Sequence, residues 1–227
     1  MKLKAAKAAF PYTVPILASF LFLGMTYGIL MYSKGFSFLY PMFMSMTIFA
    51  GSIEFVAVNM LLGAFNPFEA LMTTLILNAR HLFYGIALLD KYKNTGIMKL
   101  YLIFGSCDET FSINYTADIP QDIDQKWFYF FVTVFNQIYW VTGATLGGLF
   151  GGMISINTKG LDFVMTAMFV TIFLSQFIKE KNHTSSYIGL IIPFLCLIIF
   201  KSSFMIPSMI LILFILSIIG WKRGFKQ

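Results

Sequence analysis

Charged side chains are scarce in this sequence of 227 residues. Asp, Glu, Lys and Arg together make up 11% of it, whereas 58% of the residues are hydrophobic and 18% are aromatic. Soluble domains carry a charge on roughly a quarter of their residues. So little charge excludes a soluble globular protein and indicates an integral membrane protein, which we expect to form a single membrane domain over residues 1–227.

Cysteine and histidine are also rare. Cys107 and Cys196 lie far apart within apolar runs, which gives neither a disulfide framework nor the spacing of a zinc site. The sequence also lacks a His-x-x-x-His pair and a Gly-x-Ser-x-Gly elbow, which mark metalloproteases and serine hydrolases. We therefore expect no metal, no cofactor and no enzymatic activity. An intramembrane enzyme is the rival class, but no nucleophile is evident.

The positive charges lie mainly at the ends of the apolar runs. The net charge is +6, with Lys2, Lys4 and Lys7 before the first run and Lys222 and Arg223 after the last. Flanking charges of this kind are typical of the positive-inside bias that orients membrane proteins. A phosphate-binding protein would instead gather them on one polar face, so we expect no nucleic-acid partner.

Long polar connections are absent as well, since no break between apolar runs exceeds about ten residues. The runs are continuous rather than alternating, and only helices or closed barrels satisfy their backbone in lipid. The sequence thus predicts an all-α polytopic membrane protein with about 6–8 transmembrane or re-entrant helices. The apolar runs cover approximately residues 10–32, 40–64, 67–89, 98–117, 127–152, 161–178, 187–200 and 206–221.

The distribution of Lys and Arg favours two runs that enter and leave on the same side. With the N-terminus inside and eight full spans, nine positive residues other than Arg80 are cytoplasmic and six are external. If runs 40–64 and 98–117 are re-entrant, the count becomes twelve against three, which obeys the positive-inside bias better. We expect a cytoplasmic N-terminus. Full spans with unwound centres stay open as the alternative for these two runs.

The same two runs share a local pattern of Gly-Ser, a carboxylate and Phe. The paired segments are Gly51-Ser52-Ile53-Glu54-Phe55 and Gly105-Ser106-Cys107-Asp108-Glu109-Thr110-Phe111. Gly interrupts helices, Ser is a favourable N-cap, and Ser106-x-x-Glu109 has the spacing of a capping box. The pattern predicts broken helices near Gly51 and Gly105, each with a half-helix N-terminus after the break. Paired breaks of this kind point to the binding site of a transporter.

Run 67–89 carries a polar cluster near its middle, formed by Asn78, Arg80, His81 and Tyr84. Along a helix, Arg80 lies roughly 14 Å from the charged end at Asp90, close to half the hydrocarbon thickness. At that depth its guanidinium must face the protein interior or a water-filled cavity. Asn78, His81 and Tyr84 recur at three-residue spacing and are expected to share one helix face.

Glu54, Asp108 and Glu109 are the acids that could balance Arg80. We expect Arg80 to pair with one of them or with the carboxylate of a substrate, and the sequence leaves the choice open. His81 could exchange protons with an acid, because the unperturbed imidazole pKa is near neutrality. The alternative is a structural ion pair in a channel or a non-transporting scaffold.

Glycines recur at helical spacing in two places. They form Gly24-x-x-x-Gly28 in the first run and the set Gly143, Gly147, Gly148, Gly151 and Gly152 in the fifth. Small residues at this spacing let membrane helices approach closely. We expect these glycines to serve helix packing.

Taken together, these motifs resemble the AzlC family, which forms the large subunit of bacterial branched-chain amino-acid exporters. The resemblance covers nearly the whole chain. It is carried by Ala50-Gly51-Ser52-x-Glu54-Phe55, Leu77-Asn78-x-Arg80-His81-x-x-Tyr84-Gly85 and Asp108-Glu109-Thr110-Phe111. One departure is Glu54, where the family usually has Gln.

The resemblance implies export of branched-chain and similar hydrophobic amino acids across the bacterial cytoplasmic membrane, coupled to the proton gradient. It also implies a small, multi-spanning partner subunit of the AzlD type. For proton coupling we predict Glu109, Asp108 and His81. The predicted substrate-binding residues are Ser52, Glu54, Asn78, Arg80, His81, Tyr84, Ser106, Asp108 and Glu109.

Overall fold

A computed structural model describes residues 2–153 and 183–201 continuously, together with isolated positions between 166 and 178 and between 204 and 218. Its contacts divide the chain into two compact units, Met1–Met165 and Thr166–Gln227. Within these described residues the secondary structure is helical and contains no strand. The predicted all-α class is therefore confirmed, whereas the single membrane domain stays a prediction.

The first unit contains eight helices among its described residues, two of which are long. The second unit contains α9, Thr184–Phe200, whose sequence is apolar throughout most of its length. The helices of the first unit are α1 Lys2–Ser33, α2 Leu39–Thr47, α3 Gly51–Leu62, α4 Pro67–Leu77, α5 Ala79–Ala87, α6 Met98–Phe104, α7 Asp108–Thr116 and α8 Gln125–Phe150. The apolar runs 161–178 and 206–221 lie largely outside the described residues.

Helix α1 is the one described helix that is both long and apolar enough to cross a membrane by itself. It begins at Lys2, before the apolar run that starts at about residue 10. The lysines of this segment alternate with alanines, and Ala and Lys are both good helix formers. Ala5 and Ala9 are fully buried, which shows that the segment packs as part of the helix.

Glycines hold α1 and α8 in close backbone contact, as predicted. A Cβ added to Gly24 would lie 2.8 Å from the Trp140 carbonyl oxygen, and one added to Gly28 would lie 2.5 Å from the Gly148 nitrogen. From the other side, a Cβ on Gly143 would lie 2.8 Å from the Leu21 carbonyl oxygen. Real Cβ atoms do not approach this closely, so glycine is required on both helices.

The six helices between α1 and α8 are short because three breaks interrupt them. The chain leaves α2 at Thr47 and re-enters a helix at Gly51, and it leaves α6 at Phe104 and re-enters a helix at Asp108. The predicted breaks near Gly51 and Gly105 are therefore confirmed. Whether these segments are re-entrant or spanning stays a prediction.

The third break, at Asn78, was not predicted, so the expectation of one continuous helix over 67–89 is wrong. Asn78 N–H donates to the Thr74 carbonyl as in an α-helix, but His81 N–H donates to Asn78 itself, three residues back. Asn is a poor residue for a helix interior because its side chain competes for backbone groups. The tighter turn separates α4 from α5.

The half-helices are capped differently from the prediction. Ser106 Oγ donates to the Leu102 carbonyl at 2.7 Å, and Cys107 is the N-cap of α7, so the expected capping box does not form. Ser52 lies inside α3, and its Oγ has no hydrogen-bond partner within the described part of the chain. By contrast, Asn66 caps α4 and accepts from Phe68 N at 3.1 Å.

Candidate functional site

Arg80 and Asp108 form an ion pair between the first turns of α5 and α7. Arg80 Nε lies 3.1 Å from Asp108 Oδ1. The geometry is that of an ion pair and not of a directed hydrogen bond, since this N–H finds no well-aligned acceptor among the described residues. The side chains are 31% and 18% exposed, so both charges can be reached. Of the three candidate acids, Asp108 is thus the one that meets Arg80.

Tyr84 orients the Asp108 carboxylate from the same side as Arg80. Its hydroxyl donates to Asp108 Oδ1 at 2.7 Å, and its ring stacks on Phe111 with centroids 4.3 Å apart. The His81 ring lies 5.7 Å from the Tyr84 ring. One carboxylate oxygen therefore interacts with a cation and a phenol, both supplied by α5.

Two further predicted residues lie beside this ion pair. Asn78 is the residue of the third break, and its Oδ1 is buried with no hydrogen-bond partner within the described part of the chain. Glu109 follows Asp108 in the first turn of α7. The structure thus brings together Asn78, Arg80, His81, Tyr84, Asp108 and Glu109. We refer to these six residues as the Arg80 cluster.

Glu54 belongs to a separate location, at the α2–α3 break. Its side chain is completely buried. Trp140 Nε1–H lies 3.1 Å from both carboxylate oxygens, and Ala50 N–H donates to Oε1 at 3.0 Å. A Cβ on Gly51 would lie 2.8 Å from the Trp140 ring, so this glycine makes room for the indole. Sequence reasoning missed Trp140, since a lone aromatic in an apolar helix gives no signal of such a role.

One face of α8 contacts both predicted breaks. Besides Trp140 at the first break, Asn136 donates to Thr110 Oγ1 of α7 at 3.0 Å. Gln137 accepts from Tyr101 of α6 at 2.6 Å and donates to the Met46 carbonyl near the end of α2 at 3.0 Å. These side chains recur at three- and four-residue spacing and lie along one side of the helix. Helix α8 is therefore the common support of the broken helices.

A cavity of about 330 Å³ lies between the end of α3 and the start of α4, away from Arg80. Asn59, Asn66, Glu69 and Thr73 supply its polar lining, and Val56 and Met60 part of its apolar lining. Among the described residues, no group of three or more His, Cys, Asp and Glu side chains is placed to hold a metal ion.

Comparison with known proteins places these motifs in a family. The model of the family described as "AzlC protein" matches residues 15–154, which include all three helix breaks and the N-terminal turns of α5 and α7. The chain belongs to the AzlC family. The resemblance seen in the motifs is thereby confirmed. The predicted fold class, a polytopic helical membrane protein, is confirmed as well.

Relatives of this AzlC-family chain cover nearly all of it. A Bacillus subtilis (strain 168) protein named "Branched-chain amino acid transport protein AzlC" is 59% identical over 95% of this chain and 85% of its own length. An uncharacterized membrane protein of Haemophilus influenzae is 48% identical over 94% and 88%. "Inner membrane protein YgaZ" of Escherichia coli K12 is 26% identical over 75% and 72%. No solved structure matches the chain.

Proposed function

We propose that this protein is the large subunit of a secondary-active exporter that moves branched-chain and similar hydrophobic amino acids out of the cytoplasm. The transport role is supported by the 59% identical relative, which is named a branched-chain amino acid transport protein. The observation that carries the proposal in this chain is the Arg80–Asp108 pair, in which both charges are accessible at the ends of broken helices. On this proposal the protein is not an enzyme.

The ion pair suits a zwitterionic substrate for a simple electrostatic reason. In the substrate-free state Arg80 and Asp108 balance each other across 3.1 Å. An amino acid could insert with its carboxylate on Arg80 and its ammonium on Asp108, so that each charge exchanges one partner for another and none is left unpaired. Leaving a buried charge unpaired costs about 3–5 kcal/mol, so an ion of one sign only would be rejected.

Other members of the Arg80 cluster fit supporting roles in this proposal. Tyr84 fixes the Asp108 carboxylate, and Glu109 is a second acid one position further along α7. His81 and Glu109 are titratable groups of the same cluster as Asp108, which supports proton coupling through His81, Asp108 and Glu109. Asn78 has a buried oxygen that could accept from the substrate ammonium.

The cellular setting is also part of the proposal. One relative is named an inner membrane protein, which supports location in the bacterial cytoplasmic membrane. The charge distribution supports a cytoplasmic N-terminus. The AzlC family resemblance supports a small AzlD-like subunit as the partner, with lipid around both. No described residue of α4 or α5 is fully buried, and Leu75, Leu82 and Phe83 are exposed, so this face is available to lipid or to such a subunit.

A channel or non-transporting scaffold is the second candidate. It is favoured by the same ion pair, because the charges of Arg80 and Asp108 balance each other without a substrate. In a channel or scaffold, only the attraction between the Arg80 and Asp108 charges matters. Exchanging the charges, with Arg80→Asp and Asp108→Arg together, would then preserve activity. An exporter that binds an oriented zwitterion would lose activity in this doubly substituted protein.

The deciding experiment is efflux of radiolabelled valine, leucine, methionine and alanine from preloaded vesicles. The chain is reconstituted alone and with an AzlD-type subunit, with and without a proton gradient. Efflux of the branched-chain amino acids that requires the partner and responds to the gradient is expected. If both proteins are inserted and no labelled amino acid leaves under any condition, the exporter proposal is wrong.

The matched variant test uses Arg80→Ala. This change should abolish efflux and leave membrane insertion unaltered, because the substrate carboxylate loses its cationic partner. Lys93→Ala is the control, since Lys93 is an exposed cation in the connection between α5 and α6. Normal efflux by the Arg80→Ala variant would show that Arg80 does not bind the substrate.

A further inference from the structure

Glu54 is a fully buried acid that the Arg80 cluster does not use. Its carboxylate makes no ion pair with a Lys, Arg or His among the described residues. All of its polar contacts within the described chain are N–H donors, two contacts from the Trp140 indole and one from the Ala50 amide. A buried acid supported by donors alone, at a helix break in a membrane protein, needs an explanation beyond packing.

Two opposing effects act on the Glu54 carboxyl. Burial away from water disfavours its ionised form, whereas N–H donors that point at its oxygens favour that form. The Ala50 donor is the N-cap residue of α3, and Glu54 lies in the first turn of this helix, where the helix dipole adds to the effect. The Trp140 donor comes from another helix, so its contribution lasts only while α3 and α8 stay in contact. The charge of Glu54 is therefore linked to the closure of the α2–α3 break against α8.

The surroundings contain few other groups that could titrate in its place. On α1 the phenol of Tyr27 lies within electrostatic range of Glu54 and donates to the Met44 sulfur of α2 at 3.3 Å. On α8 the phenol of Tyr139 is hydrogen-bonded to Thr13, 3.1 Å away. The Cys107 thiol packs against the same core cluster from the second break. A carboxyl among phenols and a thiol is the group that ionises most readily.

We propose that Glu54 is a proton-binding site of this protein and that loss of its proton releases the α2–α3 break from Trp140. When Glu54 is protonated, no unpaired charge is buried, its carbonyl oxygen accepts from the Trp140 N–H, and the break is closed against α8. When the proton leaves for the aqueous phase, the closed break holds a buried carboxylate with no cationic partner among the described residues, and burial disfavours this form. The break then separates from α8 and the carboxylate gains water.

This inference rests on the proposed function for its consequence, which is that proton exchange at Glu54 drives the movement of the first broken helix during export. The proton site itself does not depend on which molecule is carried. A spectroscopic test therefore separates the two proposals. Trp140 is a fluorophore in direct contact with Glu54. Replacing Trp127 and Trp221 by Phe makes Trp140 the single tryptophan of the protein.

The experiment records Trp140 emission of the reconstituted Trp127→Phe, Trp221→Phe protein from about pH 4 to about pH 9, the range that covers ordinary and shifted carboxyl groups. We expect one sigmoidal, one-proton change in emission. Glu54→Gln should abolish it, because the amide keeps the size of the side chain but cannot ionise. Glu69→Gln is the control, since this acid is exposed at the start of α4 and its loss should leave the transition in place.

An infrared measurement detects protonation of Glu54 directly, without relying on the emission of Trp140. The carbonyl band of a protonated carboxylic acid should grow through the same pH transition and should be missing from Glu54→Gln. An emission curve that is flat with pH, or one that is unchanged in Glu54→Gln, would overturn the proposal. Absence of amino-acid efflux with an intact Glu54 transition would count against the exporter and not against the proton site.

Discussion

Neutralising the Arg80–Asp108 pair separates its structural role from its role in transport. At 3.1 Å and an effective dielectric constant of about 20, two unit charges attract each other by roughly 5 kcal/mol before solvation is counted. Arg80→Gln or Asp108→Asn alone leaves one charge without its partner. In a fully buried site this loss costs about 3–5 kcal/mol. Because the side chains are 31% and 18% exposed, the remaining charge is less than fully buried, and we expect roughly 2 kcal/mol for each single variant.

The double variant, Arg80→Gln with Asp108→Asn, removes both charges together. We expect its stability to return to within about 1 kcal/mol of the natural protein, because a neutral pair leaves no unpaired ion and Tyr84 can still donate to the Asn oxygen. Stability is measured by denaturant unfolding in detergent micelles, and transport by valine efflux. Efflux should stay absent, since neither charge of the zwitterion has a partner. Full efflux by the double variant would refute the substrate-binding role of the pair.

Two other substitutions test packing and orientation. Gly28→Ala should lower the stability by about 1–3 kcal/mol, because the new methyl group overlaps the α8 backbone. Gly189→Ala is the control, since a Cβ at that position meets nothing within 4 Å. Equal unfolding midpoints for the two variants would contradict the close contact between α1 and α8. Tyr84→Phe removes the 2.7 Å hydrogen bond to Asp108 and should slow efflux about tenfold, as expected for a charge-assisted bond worth about 1.5 kcal/mol. Unchanged efflux by the Tyr84→Phe variant would show that transport does not require Tyr84 to orient the Asp108 carboxylate.

Local chemistry made part of this fold predictable. The breaks near Gly51 and Gly105 followed from residues adjacent in sequence, because a glycine within an apolar run weakens a helix whatever surrounds it. The close approach of α1 and α8 followed from Gly24 and Gly28 at four-residue spacing, since this spacing places both on one face. In each case the cause and its effect lie within one or two helical turns.

The partner of Arg80 could not be predicted in the same way. Asp108 and Glu109 are neighbours in sequence but point about 100° apart on a helix, and the choice between them depends on how α7 is oriented toward α5. The break at Asn78 was missed for a related reason. A single Asn in an apolar run is compatible with a continuous helix, and only the tertiary arrangement selects the tighter turn.

The support given by α8 was beyond sequence reasoning as well. Trp140 is one aromatic residue among the 18% of the chain that are aromatic, and its indole N–H acquires a role only when Glu54 is brought beside it. For Gln137, nothing in the adjacent sequence indicates that it bonds both Tyr101 and the Met46 carbonyl. Contacts between side chains far apart in sequence require the fold.

The placement of α8 after the broken helices has a consequence for how the chain enters the membrane during synthesis. The longest helix between Lys34 and Asp124 has 12 residues, or about 18 Å, whereas the hydrocarbon layer is about 30 Å thick. Glu54 at the first paired break and Thr110 after the second find partners on α8, which leaves the ribosome last among these helices. The insertion machinery must therefore shelter the half-helices until residues 133–140 have been made. A nascent chain that stops before Gln125 would lack the α8 partners of Glu54, Thr110 and the Met46 carbonyl.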